Sequence, residues 1–161
     1  MRKALEAVSL IALAVLAFIT IRAFYGPARL PDHIPTHFNA AGQPDGYGSS
    51  AMLLVFPIIA TVIYLLMTLV SRFPAAFNFP VRVTPLNRQR LEELALSMIA
   101  WLKAEVVVFF ALIENGAIGA ARHPDQRLSP LLMPLLLACV FSTCIIHIVA
   151  MFKAGRSALR R

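Results

Sequence analysis

The chain has 161 residues, 59% of them hydrophobic and only 14% charged, with a mean hydropathy of +0.74. Soluble domains run at about 45–50% apolar and about 25% charged, so this chain has too little polar surface to wrap a water-soluble core. A soluble enzyme and a disordered tail are both excluded. The net charge of +7 does not point to nucleic acid, because in so apolar a chain basic residues flank membrane spans and set their orientation.

A bilayer core about 30 Å thick takes roughly 20 apolar residues in a helix. By that rule the sequence predicts an all-α, polytopic membrane protein, a single integral membrane domain over residues 1–161 with four transmembrane helices. The first span, 4–25, has Glu6 as its lone acid. Met1-Arg2-Lys3 has the look of a signal-peptide n-region, but the apolar run is too long for one and Arg22-Ala23-Phe24-Tyr25-Gly26 lacks a small-x-small cleavage site. It reads as an uncleaved span. The second, 51–70, carries no charge. The third, 100–121, ends a longer periodic segment that begins near Leu91, and residues 91–100 are expected to project as an amphipathic extension. The fourth is 131–152. Pro57 and Pro134 fall in the second and fourth spans and predict kinks. Cys139 and Cys144 are about 140° apart around a helix, which reads as two buried thiols and no disulfide.

Ten Lys and Arg residues lie in the N-terminal tail, the second loop and the C-terminal tail, against four in the first and third loops. The positive-inside rule therefore places both termini in the cytoplasm and loop 26–50 outside, in a multi-pass protein of the cell (cytoplasmic) membrane.

Residues 30–50 read LPDHIPTHFNAAGQPDGYGSS. Each proline pushes its predecessor towards extended backbone, and Pro44-Asp45-Gly46 is a turn signal. An ordered extracytoplasmic loop is expected. The string LPDxIPTHFNAAGQPDGYG resembles the N-terminal motif of a bacterial membrane family described as a domain of unknown function, also found in SdpI-type toxin-immunity proteins. Residues 100–113, AWLKAEVVVFFALI, are similar to that family's WLK-x-E segment. Many members have a tryptophan near Tyr47 and a lysine soon after Gly48, where this chain has Ser49-Ser50, and SdpI proteins continue into further spans. The resemblance implies a non-enzymatic protein acting by interaction, in immunity or signalling, with the lipid bilayer around it and a protein or peptide toxin as partner. Its loop motif falls on Pro31, Asp32, Pro35, His37, Phe38, Gly42, Pro44 and Asp45.

His33, His37, Asp32 and Asp45 are N and O donors of the kind that bind zinc. Pro35 spoils a helical His33/His37 pair; the resemblance, whose motif falls on His37 and Asp45, makes those two the metal candidates in a third reading, a membrane metalloprotein. The preferred reading is structural and needs no cofactor: His37 donates to a loop carbonyl and Asp45 caps its turn.

Four polar residues stand out within the spans: Lys103, Glu105, Glu114 and His147. Ionisable groups at membrane depth cost about 2.5–3.5 kcal/mol each at the centre and are functional candidates. Glu92, Lys103 and Glu114 are spaced by 11, about three helical turns, so they share a stripe, with Glu105 roughly opposite Lys103. Trp101 and Lys103 are expected as an interfacial anchor, the lysine snorkelling to the surface. Glu114 is expected deeper, with Asn115, a loop histidine or Arg122 as partner. An alternative function follows, a small transporter or proton-path subunit using Glu105 and Glu114. His147, on one face with Cys144, is expected to be packed and hydrogen-bonded. Gly116, Ala117, Gly119, Ala120 and Ala121 form a small-residue patch suited to close helix packing. The sequence holds no phosphate loop, HExxH or GxSxG, and catalysis is not expected.

Overall fold

The computed structural model describes residues 1–27, 30–123 and 127–158. Helix α1 spans Arg2–Tyr25, strand β1 His33–Phe38, strand β2 Pro44–Ser49, α2 Val55–Val70, α3 Arg88–Arg122 and α4 Leu132–Ala158. Among the described residues four helices are long and apolar enough to cross a membrane, as expected of a multi-pass membrane protein. At 35 residues α3 is about 52 Å long, longer than a hydrocarbon core.

Helix α3 is the centre. It packs against α1, α2 and α4 and against β1. The small-residue patch lets this happen: Ala117 and Ile118 close on Ala23 of α1, Ile34 of β1 and Leu53 just before α2. At the other end, Phe77, Phe79, Val81 and Val83 of the α2–α3 connection fold over Leu91, Leu94 and Ala95 of α3 and Met151 of α4. The first turns of α3 therefore do not project bare, because their apolar side is covered by the connection. Asn87 holds that connection in place. Its Oδ1 accepts from the Thr84 amide at 2.8 Å and its Nδ2 donates to the Arg82 carbonyl at 3.0 Å.

Pro134 is the third residue of α4, in a first turn where a missing N–H removes no intrahelical bond. Pro57 is the third residue of α2, which continues directly from the 3-10 helix Ser50–Leu54, so the helical geometry changes just before it. Cys139 is exposed and Cys144 half-buried, so neither is the fully buried thiol the sequence suggested.

The helical fold carries one small sheet. β1 and β2 pair antiparallel, His33 with Ser49, Ile34 with Gly48, Pro35 with Tyr47 and His37 with Gly46. Pro44-Asp45-Gly46 is not the turn. It opens β2, where proline is tolerated as a first strand residue. The chain reverses at residues 39–43 instead: Asn39 Oδ1 accepts the amides of Ala41 and Gln43, each at 3.0 Å, and Gly42 adopts φ +72°. Register slips on either side of His37, between Pro35 and His37 and again between His37 and Phe38, the first beside a residue with no amide to donate. The tip is tied down, since the Leu128 amide donates to the Gly42 carbonyl at 3.0 Å.

A Cβ at Gly42 would lie 1.8 Å from the Leu128 carbonyl oxygen in addition to its positive φ, whereas one at Gly48 would first meet the movable Thr36 methyl at 3.1 Å. Gly42→Ala should lose more than about 1 kcal/mol and Gly48→Ala distinctly less, measured by thermal unfolding in detergent. Equal melting temperatures for the two variants would contradict the docked tip.

Candidate functional site: polar couples on α3 and a paired hairpin

Lys103 is 1% exposed. Its Nζ donates to Glu6 Oε1 of α1 and, at 3.0 Å, to Thr68 Oγ1 of α2, and lies 4.7 Å from the centre of the Tyr64 ring. The Tyr64 hydroxyl donates to Glu6 Oε2 at 3.2 Å. The expected snorkelling is thus replaced by internal pairing. A cation that finds a carboxylate, a hydroxyl and a ring face among its neighbours has no need to reach for the surface. Trp101 stays partly exposed.

Further along the same stripe Glu114 is fully buried. Its partner is Thr20 of α1, whose Oγ1 lies 2.6 Å from Glu114 Oε1 and 2.8 Å from the Leu16 carbonyl. A hydroxyl has one proton for two acceptors, so both contacts are hydrogen bonds together only when the carboxyl brings a proton of its own. Glu114 Oε2 is buried without a partner. Thr20 was not singled out in the sequence. Its 11-residue spacing from Ser9, matching Lys103 to Glu114, is the signal that would have found it, for both are buried on α1.

Glu105 lies on the α4 side of α3. Its Oε1 accepts from Thr143 Oγ1 at 2.5 Å, and Oε2 is buried without a partner. One turn on, His147 Nδ1 donates to the Thr143 carbonyl at 2.8 Å, which leaves Nε2 to accept from Ser97 Oγ at 3.2 Å. His147 is the packed, hydrogen-bonded histidine expected.

In the hairpin, His37 Nδ1 and Asp45 Oδ1 are 2.5 Å apart, with side chains 73% and 41% exposed. The two metal candidates do come together, but as a pair. Asp45 does not cap a turn and His37 does not reach a carbonyl, because the strand register sets them side by side. Gly46 faces His37, whose Cβ would stand 2.9 Å from any added Cβ. Among the described residues no group of three or more His, Cys, Asp or Glu is placed to hold a metal, and a structural zinc takes four ligands. The rest of the motif is architectural. Pro35 and Gly42 are buried, Phe38 packs on the core around Ile34, Pro44 opens β2, and the Asp32 carbonyl accepts from the Ser50 amide at 2.9 Å. Pro31 is exposed just before β1.

Residues 12–61 match the family model of a domain of unknown function, DUF1648. The match takes in most of α1, the whole hairpin and the start of α2, and stops short of α3. An uncharacterized protein of Archaeoglobus fulgidus is 35% identical over 125 residues, covering 73% of this chain and 66% of the relative. The chain thus spans about two thirds of the length of that archaeal protein. No solved structure matches the chain significantly.

Two variant series test the couples in equilibrium unfolding. Glu6→Gln leaves the buried Lys103 cation without its counter-charge. Because the Glu6 side chain is 37% exposed, the cost should fall between the ~1 kcal/mol of an exposed pair and the ~3–5 kcal/mol of a broken buried one, and Lys103→Met/Glu6→Gln should recover part of the loss. Glu114→Gln, whose amide donates to Thr20 Oγ1, should be tolerated, whereas Glu114→Lys should give little monodisperse protein from detergent. Equal losses for the two Glu114 variants would argue against the buried Thr20 contact.

Proposed function

We propose that this is a non-enzymatic membrane protein of the SdpI-like kind, which recognises an extracytoplasmic protein or peptide through its hairpin, in immunity or signalling. The observation that carries this reading is the division of the polar groups. Within the spans, ionisable side chains engage neighbouring helices in separate couples, Lys103 and Glu114 towards α1 and Glu105 towards α4. They do not line up along one path. The hairpin, by contrast, has its backbone held by strand pairing and by Leu128, yet offers His37, Asp45 and Tyr47 to the exterior. A rigid backbone with exposed aromatic and titratable groups binds with little ordering cost. The excess of basic residues in the tails and the α2–α3 connection supports a cytoplasmic location for both termini and an outer location for the hairpin in the cell membrane.

Transport is the second reading. It is favoured by the unpartnered Glu105 Oε2, in a residue that lines a cavity of 190 Å³ between α3 and α4 with Phe109, Leu135 and Cys139.

With Cys139 and Cys144 replaced by alanine, a membrane-impermeant thiol reagent should label Ala41→Cys in intact cells and leave Ala75→Cys untouched. The reverse pattern would invert the topology. A photocrosslinking side chain at Tyr47 should give a discrete adduct that is lost with His37→Ala/Asp45→Ala. Proton uptake into proteoliposomes that is abolished by Glu105→Gln would replace recognition by transport.

A further inference from the structure

The end of the helices opposite the hairpin holds a cavity of 280 Å³ between α1, the end of α2 and α3, lined by Arg2, Lys3, Glu6, Ser71, Ile99 and Lys103 among others. Its charges are unequal in their freedom. The Glu6 carboxylate is taken by Lys103 and Tyr64, and the Ser71 hydroxyl donates to the Thr68 carbonyl at 2.7 Å. No ion pair or hydrogen bond among the described residues takes up the side chain of Arg2 or Lys3. Two free cationic heads therefore face a cavity whose one carboxylate is already neutralised. Ile99 also lines a second cavity of 690 Å³, walled by apolar groups of the α2 end, the α2–α3 connection, α3 and α4, among them Val70, Phe77, Met98 and Met151.

We propose that these adjoining cavities form a site for an anionic phospholipid, its headgroup phosphate between Arg2 and Lys3 and one acyl chain passing over Ile99 into the apolar cavity. The chemistry recognised is a phosphate, for which guanidinium and ammonium groups are suited donors. Its location assigns that phosphate to a lipid and not to solution. The site lies where the apolar runs of α1 and α2 begin and end, at Arg2 and Val70, the level of the headgroups. A soluble phosphate would leave the apolar cavity unfilled. The same end carries Arg72, Arg82, Lys153 and Arg156, besides Arg88 and Arg90, which pair with Glu92 and Glu93; the net excess is basic and draws anionic over zwitterionic lipid.

The test uses the full chain in detergent, with lipid retention read by native mass spectrometry and stability by thermal unfolding. Phosphatidylglycerol should be retained and should raise the melting temperature, phosphatidylcholine should do neither, and inorganic phosphate alone should give no comparable shift. Arg2→Gln/Lys3→Gln should weaken phosphatidylglycerol retention by roughly tenfold or more, while Arg156→Gln, at the same end but outside the cavity, should not. Ile99→Trp keeps every charge, narrows the passage and should also weaken retention, so the proposal does not depend on the basic variants inserting normally. Equal retention of the two lipids, unchanged retention in both cavity variants, or an equal shift with inorganic phosphate would each overturn the lipid site.

Discussion

A cation inside a bilayer-spanning helix must be met by groups from other helices or be dragged to the surface, and Lys103 is met. Glu6 comes from α1, Thr68 and Tyr64 from α2, so one ammonium fixes three helices against one another. Apolar packing in lipid is poorly directional, because an acyl chain is as good a neighbour as a leucine. Polar contacts decide which faces meet. The Thr20–Glu114 bond provides a second fixed point on the α1–α3 seam, and two points on one seam set rotation and axial register together. The close approach of Ala23 to Ala117 and Ile118 then follows, since small residues lie where the seam is tightest.

The hairpin rests on the same seam. Ile34, 1% exposed, enters the cluster formed by Ala23, Ala117 and Ile118, so β1 is anchored where α1 and α3 are locked together. Strand pairing satisfies the backbone of a connection that lies beside the apolar spans, where unpaired amides are costly. Gly42 extends the chain of support to the α3–α4 connection through Leu128.

How much of this was legible in the sequence follows from how local each signal is. The spans are runs of uninterrupted apolar residues, and their number needs no knowledge of partners. The Lys103–Glu114 stripe is equally local, a matter of 11 residues on one helix. The expected snorkelling of Lys103 failed because it treated α3 alone. The carboxylate that holds the lysine down is 97 residues away, and nothing in periodicity pairs them. Thr68, Thr143 and Ser97 were illegible for another reason, and Thr20 was legible only through its spacing from Ser9: a hydroxyl in an apolar helix is satisfied by its own preceding turn, as Thr20 is by Leu16, and looks inert until a second helix arrives. In the hairpin, Pro-Asp-Gly is the stronger local turn signal. Asn39 and Gly42 prevail because that choice of turn buries Ile34 and pairs His37 with Gly46, which brings the His37 and Asp45 side chains together. Register was decided by tertiary burial, which local turn chemistry does not report.

The seams are unequal in strength. α1 is held to α3 by an ion pair and a buried carboxyl contact. α4 is held by neutral or singly charged hydrogen bonds, Thr143 to Glu105 and Ser97 to His147, a class worth about 0.6 kcal/mol on average inside membranes. Most of the α4 surface, including Phe141, Ile145, Ile146 and Val149, faces outward, towards lipid. The α3–α4 seam is therefore the softer one, and it holds the apolar cavity beside Glu105 and the larger one near Met151. The hairpin tip touches both parts: β1 rests on the rigid seam, while Gly42 is bonded to Leu128, four residues before α4 begins.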